Sequence, residues 1–456
     1  MGILIGMDGV IGRGKGNSNM YCGYEFDVTD SQCDVKRIAG AGKEYYFFAE
    51  GGGIFNGFKS CLVEGSGANI KKTYMPESSF AGFDLTGAKG NVMVEFPYLY
   101  ARFETDGNKR RALFSLYPLP GFKPVKENTR INLGMYKATT KRTDSANDTT
   151  LCSVANPLYI GGDNNDTYRS KLYGRPITSV KIDDFRTYAR KNGSDYGAID
   201  WTGHNLMQHL YIAEYGNRNC QLAVNNQRDA NGFRQGGLGS GVSNTISASW
   251  NTYNGYRPVA PCGAGNSLAG GSGEVEIWVL NDGTVQYTAP EEDLFLHTFI
   301  PKYHGIESPY GDIFELHDGV HILVKDASAN GDVEFYVCND HTKFASGITS
   351  DYELRGLIGN GTNYYYGDVL WGDKGDIIPL KSGGSDKTKW ADYYYITNSN
   401  GANSRWCAVG GHANGGAHDG FGCVHANSVW TNTIVSCGSR LCLYENVTTN
   451  ANGIIV

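Results

Sequence analysis

Between Asn403 and Leu443 the chain reads NSRWCAVGGHANGGAHDGFGCVHANSVWTNTIVSCGSRLCL, with glycine or another small residue every few positions. The apolar letters between them follow neither the helical period of about 3.6 nor the strand period of about 2. Core packing does not choose such letters, and the glycines predict tight turns that hold them on a rigid frame. Gly410, Gly411, Gly415, Gly416, Gly420 and Gly438 are the expected corners.

What lies between the corners is also restricted. From Trp390 to Tyr444 there is no Lys, Glu, Gln or Met, although Glu353, Lys381, Lys387 and Lys389 stand just upstream. An Asn codon whose two adenines are randomised can become His, Asp, Phe, Cys, Ser, Val, Thr, Ile or Gly, but never Lys, Glu, Gln, Met or Trp. The letters His412, His418, Asp419, Phe421, Cys423, His425, Ser428, Val429, Thr431, Ile434, Val435, Ser436 and Cys437 all fall inside that set. Trp406 and Trp430 fall outside it and are assigned to the frame.

In these features the segment resembles the variable tail of proteins diversified by retroelements, which display a hypervariable patch on a C-type-lectin-like (formylglycine-generating-type) domain. GSRLC at Gly438 to Cys442 strengthens the resemblance, as does YHGIESPYGDIFELHDG from Tyr303 to Gly319, where Ile313, Phe314 and Leu316 would be core. With the blocks FETDGNKRR, SLYPLPGF, GGDNN, FRTYAR and DANGFRQGGLGSG, the chain is similar over about residues 90 to 443 to tail or fibre proteins of phages and prophages from gut Bacteroidetes. The resemblance implies a virion protein made in the host cytoplasm, a homotrimer with other virion proteins as neighbours, and non-covalent binding to a bacterial surface glycan or protein. The receptor face it implies comprises Tyr393, Tyr395, Ser404, Trp406, His412, His418, Asp419, Phe421, Cys423, His425, Ser428, Val429, Thr431, Ile434, Ser436 and Cys437. Tyrosine suits such a face because it offers contact area at low entropy cost, and strand alternation would bury one or two of Tyr393, Tyr394 and Tyr395. Arg440 and Leu441 belong to the scaffold.

Length and composition agree with a large β-rich α+β protein. At 456 residues the chain exceeds a usual single domain of about 100–200. The expected division is a small β attachment domain over 1–90, a hairpin and connection over 91–150, and the lectin-like domain over 151–456. Gly at 62 residues is roughly double the average share, which suits short strands and many turns. Hairpins are expected at Asp106-Gly107 and at Asn281-Asp282-Gly283. Helices are expected at Ile182 to Arg190, capped by Gly193, and from about Asp200 to Tyr215, stopped by Gly216, with Leu206, Leu210 and Ala213 on its apolar stripe.

Other functions are set aside on chemistry. A net charge of −7 with scattered acids leaves no basic footprint for nucleic acid. The opening MGILIGMDGVIGRGKG is too short in apolar residues for a signal peptide or a membrane span. Eleven cysteines, odd in number and without a CxxC, predict free thiols. His204 and His209 are five apart where metal pairs want three or four, so surface or partly buried positions are expected. His317 and His321 flank an expected turn and could meet, but nothing is spaced to complete a metal site. Asp163 to Asp166 and the Asp373/Asp376 turn lack the EF-hand spacing, so no cofactor or metal is expected. GGLGSG lacks the Lys and Ser/Thr of a phosphate loop. Two alternatives stay open: a structural or decoration protein that uses the lectin-like domain for subunit contacts, and a glycan-degrading enzyme drawing carboxylate pairs from Asp183/Asp184, Glu291/Glu292 or Asp373/Asp376. A cell-encoded adhesin would carry a signal sequence or lipobox.

Overall fold

A computed structural model describes residues 20–40, 53–142, 147–159, 174–224, 259–280, 284–291, 294–326, 331–396, 401–412, 415–434, 436–450 and 455. The fold is β-rich α+β. The YYFFAE, GGDNN and DANGFRQGGLGSG segments, the Asn281-Asp282-Gly283 turn and Val435 lie outside the described residues.

Strand alternation and turn chemistry set the first sheet. The Tyr100–Asp106 and Lys109–Ser115 strands pair with Asp106 opposite Lys109, and Gly107 takes φ 57 in the turn, as the Asp-Gly dipeptide predicts. Cys22–Asp27 adds to the far side of Lys109–Ser115. A second, six-stranded sheet runs in the order Tyr196–Ala198, Leu441–Asn446, Thr129–Gly134, Asn91–Glu95, Lys59–Glu64, Lys71–Tyr74. Its members come from all three expected domains, so the boundaries near 90 and 150 do not separate packed units. One apolar core runs from Cys22 to Tyr444 and welds them together.

Helix α1 (Ile182–Arg190) carries Asp183 and Asp184 in its first turn and Arg190 in its last, as the helix dipole favours. It closes at Lys191, where Gly193 at φ 151 donates its N–H to Arg190 O at 3.1 Å and the Asn192 side chain donates to the Ala189 and Leu151 carbonyls. Helix α2 (Trp201–Tyr215) starts where the Asp200 side chain accepts from Gly203 N at 2.8 Å and stops at left-handed Gly216. Its expected single apolar stripe is replaced by burial of every residue from Gly203 to Ala213, which marks a helix enclosed on all sides. Its two histidines are therefore interior. His209 donates from Nε2 to Gly375 O at 2.6 Å and accepts from the Tyr24 hydroxyl at 2.8 Å, and burial pushes its pKa down to about 3.

A nine-stranded sheet carries the glycine-rich segment. Its order is Glu353–Leu357, Val333–Val337, Phe314–Val324, Asn403–Val409, Val424–His425, Tyr393–Ile396, Gly361–Trp371, Asp376–Ser382, with Cys437–Gly438 added beside Phe314–Val324. His317 and His321 thus share one strand instead of flanking a turn, and each is buried. His317 meets His204, ring centroids 4.5 Å apart, while His321 stacks on Trp430 at 4.1 Å. One face of the sheet, with Tyr394, Val424, Val409 and Cys407, enters the main core. The other carries Trp406, Ala408, Phe314 and Leu316 into a second core shared with Phe185 and Ala189 of α1 and with Trp430. Ile313, Phe314 and Leu316 are core as expected.

Candidate functional site

The exposed end of that second face is built on the Tyr393–Ile396 strand. Alternation turns Tyr394 and Ile396 inward and leaves Tyr393 and Tyr395 half-buried, as a two-residue period requires. Each outward tyrosine receives a histidine from the glycine-rich segment. His418 stacks on Tyr393 with centroids 4.1 Å apart, and His425 stacks on Tyr395 at 5.1 Å. His425 also lies 5.6 Å from the Trp406 ring, and Tyr365 of the neighbouring strand meets Tyr393 edge-on at 5.2 Å. Burial keeps His425 neutral, its pKa lowered to about 4, and lowers that of His418 as well.

The backbone of the segment is held by side chains from outside it and by Arg405 within it. His204 donates from Nε2 to Phe421 O at 2.9 Å, and Gln221 of helix α3 (Cys220–Val224) donates to the carbonyls of Gly416 and Asp419. The Tyr366 hydroxyl donates to Gly422 O. Arg405 donates to Asn427 O at 2.7 Å and Gly401 O at 2.8 Å and forms a bridge with Val429. Gly411 and Gly415 leave room for the buried Asp419 carboxyl, which would lie about 2 Å from a Cβ at either position. Gly420 does the same for Asp392. Burial pushes both carboxyls well above their usual range.

The expected receptor residues divide by this geometry. His418 and Thr431 are exposed, and Tyr393, Tyr395, Ser404, His412, His425, Val429 and Ile434 are half-buried at the surface. Seven others are interior, and their assignment to the contact face is corrected. Phe421, 1% exposed, fits between Tyr211 at 4.8 Å and Tyr310 at 5.4 Å. Trp406, Cys423 and Cys437 belong to the second core. Asp419 folds under the glycine turns, while Ser436 and Ser428 are buried beside them. Among the half-buried residues, Ser404 is engaged with His321, its Oγ 2.7 Å from Nδ1, and His412 leans on Phe314.

The sequence reading left out Tyr364 and Tyr365, which the Tyr393–Ile396 strand pairs with and which are exposed and half-buried. The signal was present: Tyr364 to Tyr366 repeats the triple tyrosine of Tyr393 to Tyr395. Beneath the face, Arg440 is fully buried, donating to Glu315 Oε1 at 2.6 Å and to the carbonyls of Gly134, Met135, Glu307 and Ser308. It ties the end of the glycine-rich segment to the six-stranded sheet.

The acids of the expected carboxylate pairs have these surroundings. Asp183 accepts from Trp430 Nε1 at 3.0 Å and pairs with Arg186, whereas Asp376 is buried and accepts from Trp201 Nε1 at 2.8 Å. Asp373 and Glu291 are exposed; Glu292 and the Asp163 to Asp166 run lie outside the described residues. Among the described residues no group of three or more His, Cys, Asp or Glu side chains is placed to hold a metal ion. None of the eleven cysteines is bridged, and burial raises Cys437 to about 12. No helix among the described residues is long and apolar enough to cross a membrane.

No protein-family model matches the chain, and no curated protein matches it. Among solved structures, PvdO from Pseudomonas aeruginosa is similar at 8% identity, covering 82% of this chain and 100% of its own, with a TM-score of 0.31.

Proposed function

We propose that this chain is a phage virion protein of tail or head fibre type that binds a bacterial surface receptor non-covalently through the tyrosine and histidine face. The observation that carries the reading is the join between fixed and changeable parts. Tyr393 and Tyr395 stand on a core strand, while His418 and His425, drawn from the segment of restricted letters, lie flat against them. Rigid amphipathic rings beside interchangeable side chains give a binding surface its contact area and its adaptability. The resemblance to retroelement-diversified C-type-lectin-like proteins points the same way. Homotrimerisation would raise avidity without new contacts. The test is adsorption of the purified protein to host cells, comparing the native chain with a Tyr393→Ala/His418→Ala variant of unchanged Tm. A loss of about tenfold or more is expected; full adsorption by the variant refutes the reading.

A structural or decoration role is favoured by a separate observation. Leu354 and Leu357 on one edge strand and Leu380 on the opposite edge strand are exposed, at 48%, 48% and 39%. Exposed apolar edges suit subunit contacts. Leu354→Lys/Leu357→Lys should lower the oligomeric mass in solution if this edge is such a contact.

A further inference from the structure

A cavity of about 280 Å³ opens elsewhere, between the start of helix α2, the Lys123–Pro124 strand and the Gly372–Lys374 turn. Its wall is apolar where Phe103, Val125 and Leu206 line it and polar where Thr202 lies, the Thr202 hydroxyl being held by Asn339 Oδ1 at 2.9 Å. The Trp201 indole is fixed there by its bond to Asp376. The charge of the lining runs against that of the chain. In a protein of net charge −7, four cations, Arg102, Lys123, Arg355 and Lys374, line this space against two carboxylates, Asp373 and Asp376.

Two of those cations are already committed. Arg102 pairs with Glu104, and Arg355 lies 3.2 Å from Glu353 and 3.4 Å from Asp376. Lys123 and Lys374 are exposed and form no ion pair among the described residues. An apolar wall with a few convergent polar groups is the usual build of a small-molecule site, and mobile ammonium groups at its mouth select negative charge.

We propose that this cavity is a second binding site, for a sugar-sized ring that bears one anionic group, with the ring against Phe103 and the anion between Lys123 and Lys374. Carboxylate and phosphate share that chemistry, so the probes separate them. The site shares no lining residue with the segment from Asn403 to Leu443, and the inference does not depend on the receptor face.

The experiment is calorimetry and ligand-observed NMR on the full chain at low salt, with glucuronate, glucose 6-phosphate, glucose and inorganic phosphate as probes. At least one anionic sugar should bind, and glucose about tenfold more weakly or not at all. Inorganic phosphate should not displace the sugar. Lys123→Ala/Lys374→Ala, both exposed and so compatible with folding, should cost about tenfold in affinity, while Tyr393→Ala/His418→Ala should cost none. The proposal is overturned if neither anionic sugar binds, if glucose binds equally, if phosphate alone competes equally, or if the double lysine variant retains full affinity.

Discussion

The His418 imidazole lies flat on the Tyr393 ring, the planes within 5° and the centroids 4.1 Å apart. One residue belongs to a strand anchored in the core by Tyr394 and the other to a glycine turn. His418 is exposed, and its backbone bond to Gly415 O does not depend on the side chain, so His418→Ser or His418→Asp should change folding stability by no more than about 0.5 kcal/mol while altering binding. Thermal unfolding beside a cell-adsorption assay checks both halves.

Phe421, three residues on, should behave in the opposite way. Its ring is enclosed by Tyr211, Tyr310 and His204, so Phe421→Ala should cost about 3–5 kcal/mol. Denaturant titration measures it; a cost below about 1 kcal/mol would place the ring outside the core.

Arg440→Met should cost about 3–5 kcal/mol, because it removes a buried partner of Glu315 and the donors to four carbonyls. Paired with Glu315→Leu, part of that loss should return. An additive double variant would deny the coupling.

Acid should unfold the protein through its histidines. The folded chain lowers His204 to about 4 and His209 to about 3, from 6.5. Between those values the unfolded chain holds more protons, so stability is complete above pH 6.5 and falls as pH drops toward 4. Asp312, raised to about 6 by burial, works in the opposite sense over part of that window. His209→Gln isolates one contribution: it should flatten the pH 7 to 4 stability slope by about 3 kcal/mol, read as Tm or denaturant midpoint against pH. An unchanged slope would mean His209 titrates normally.

Gly411→Ala should fail for two reasons at once, a backbone at φ 83 and a Cβ placed 2.0 Å from Asp419 Oδ1. Loss of about 1–3 kcal/mol is expected, and Asp419→Gly in the same chain should recover part of it.

Local signals carried far in this sequence. Asp200 and Gly216 bound α2, Asp106-Gly107 turns a hairpin, and the Tyr393 to Tyr395 alternation chose which ring is buried. Long-range pairing left no such trace. The Leu441–Asn446 strand enters a sheet begun near residue 59, so no boundary at 90 or 150 could be read from neighbouring letters. Nor could the letters of the glycine-rich segment say that Phe421 turns inward while His418 turns outward, since no period orders them. That choice is made by Tyr211 and Tyr310, about 210 and 110 residues earlier. Helix α2 was legible as a helix, but its enclosure on every side depends on sheets that the helix sequence does not describe.

A carbonyl oxygen is common to all twenty amino acids. His204, Gln221, Tyr366 and Arg405, by gripping those oxygens, hold the loop without using the exposed side chains at its tips. Substitution at the exposed tips of the loop, as at His418 and Thr431, therefore leaves its course in place.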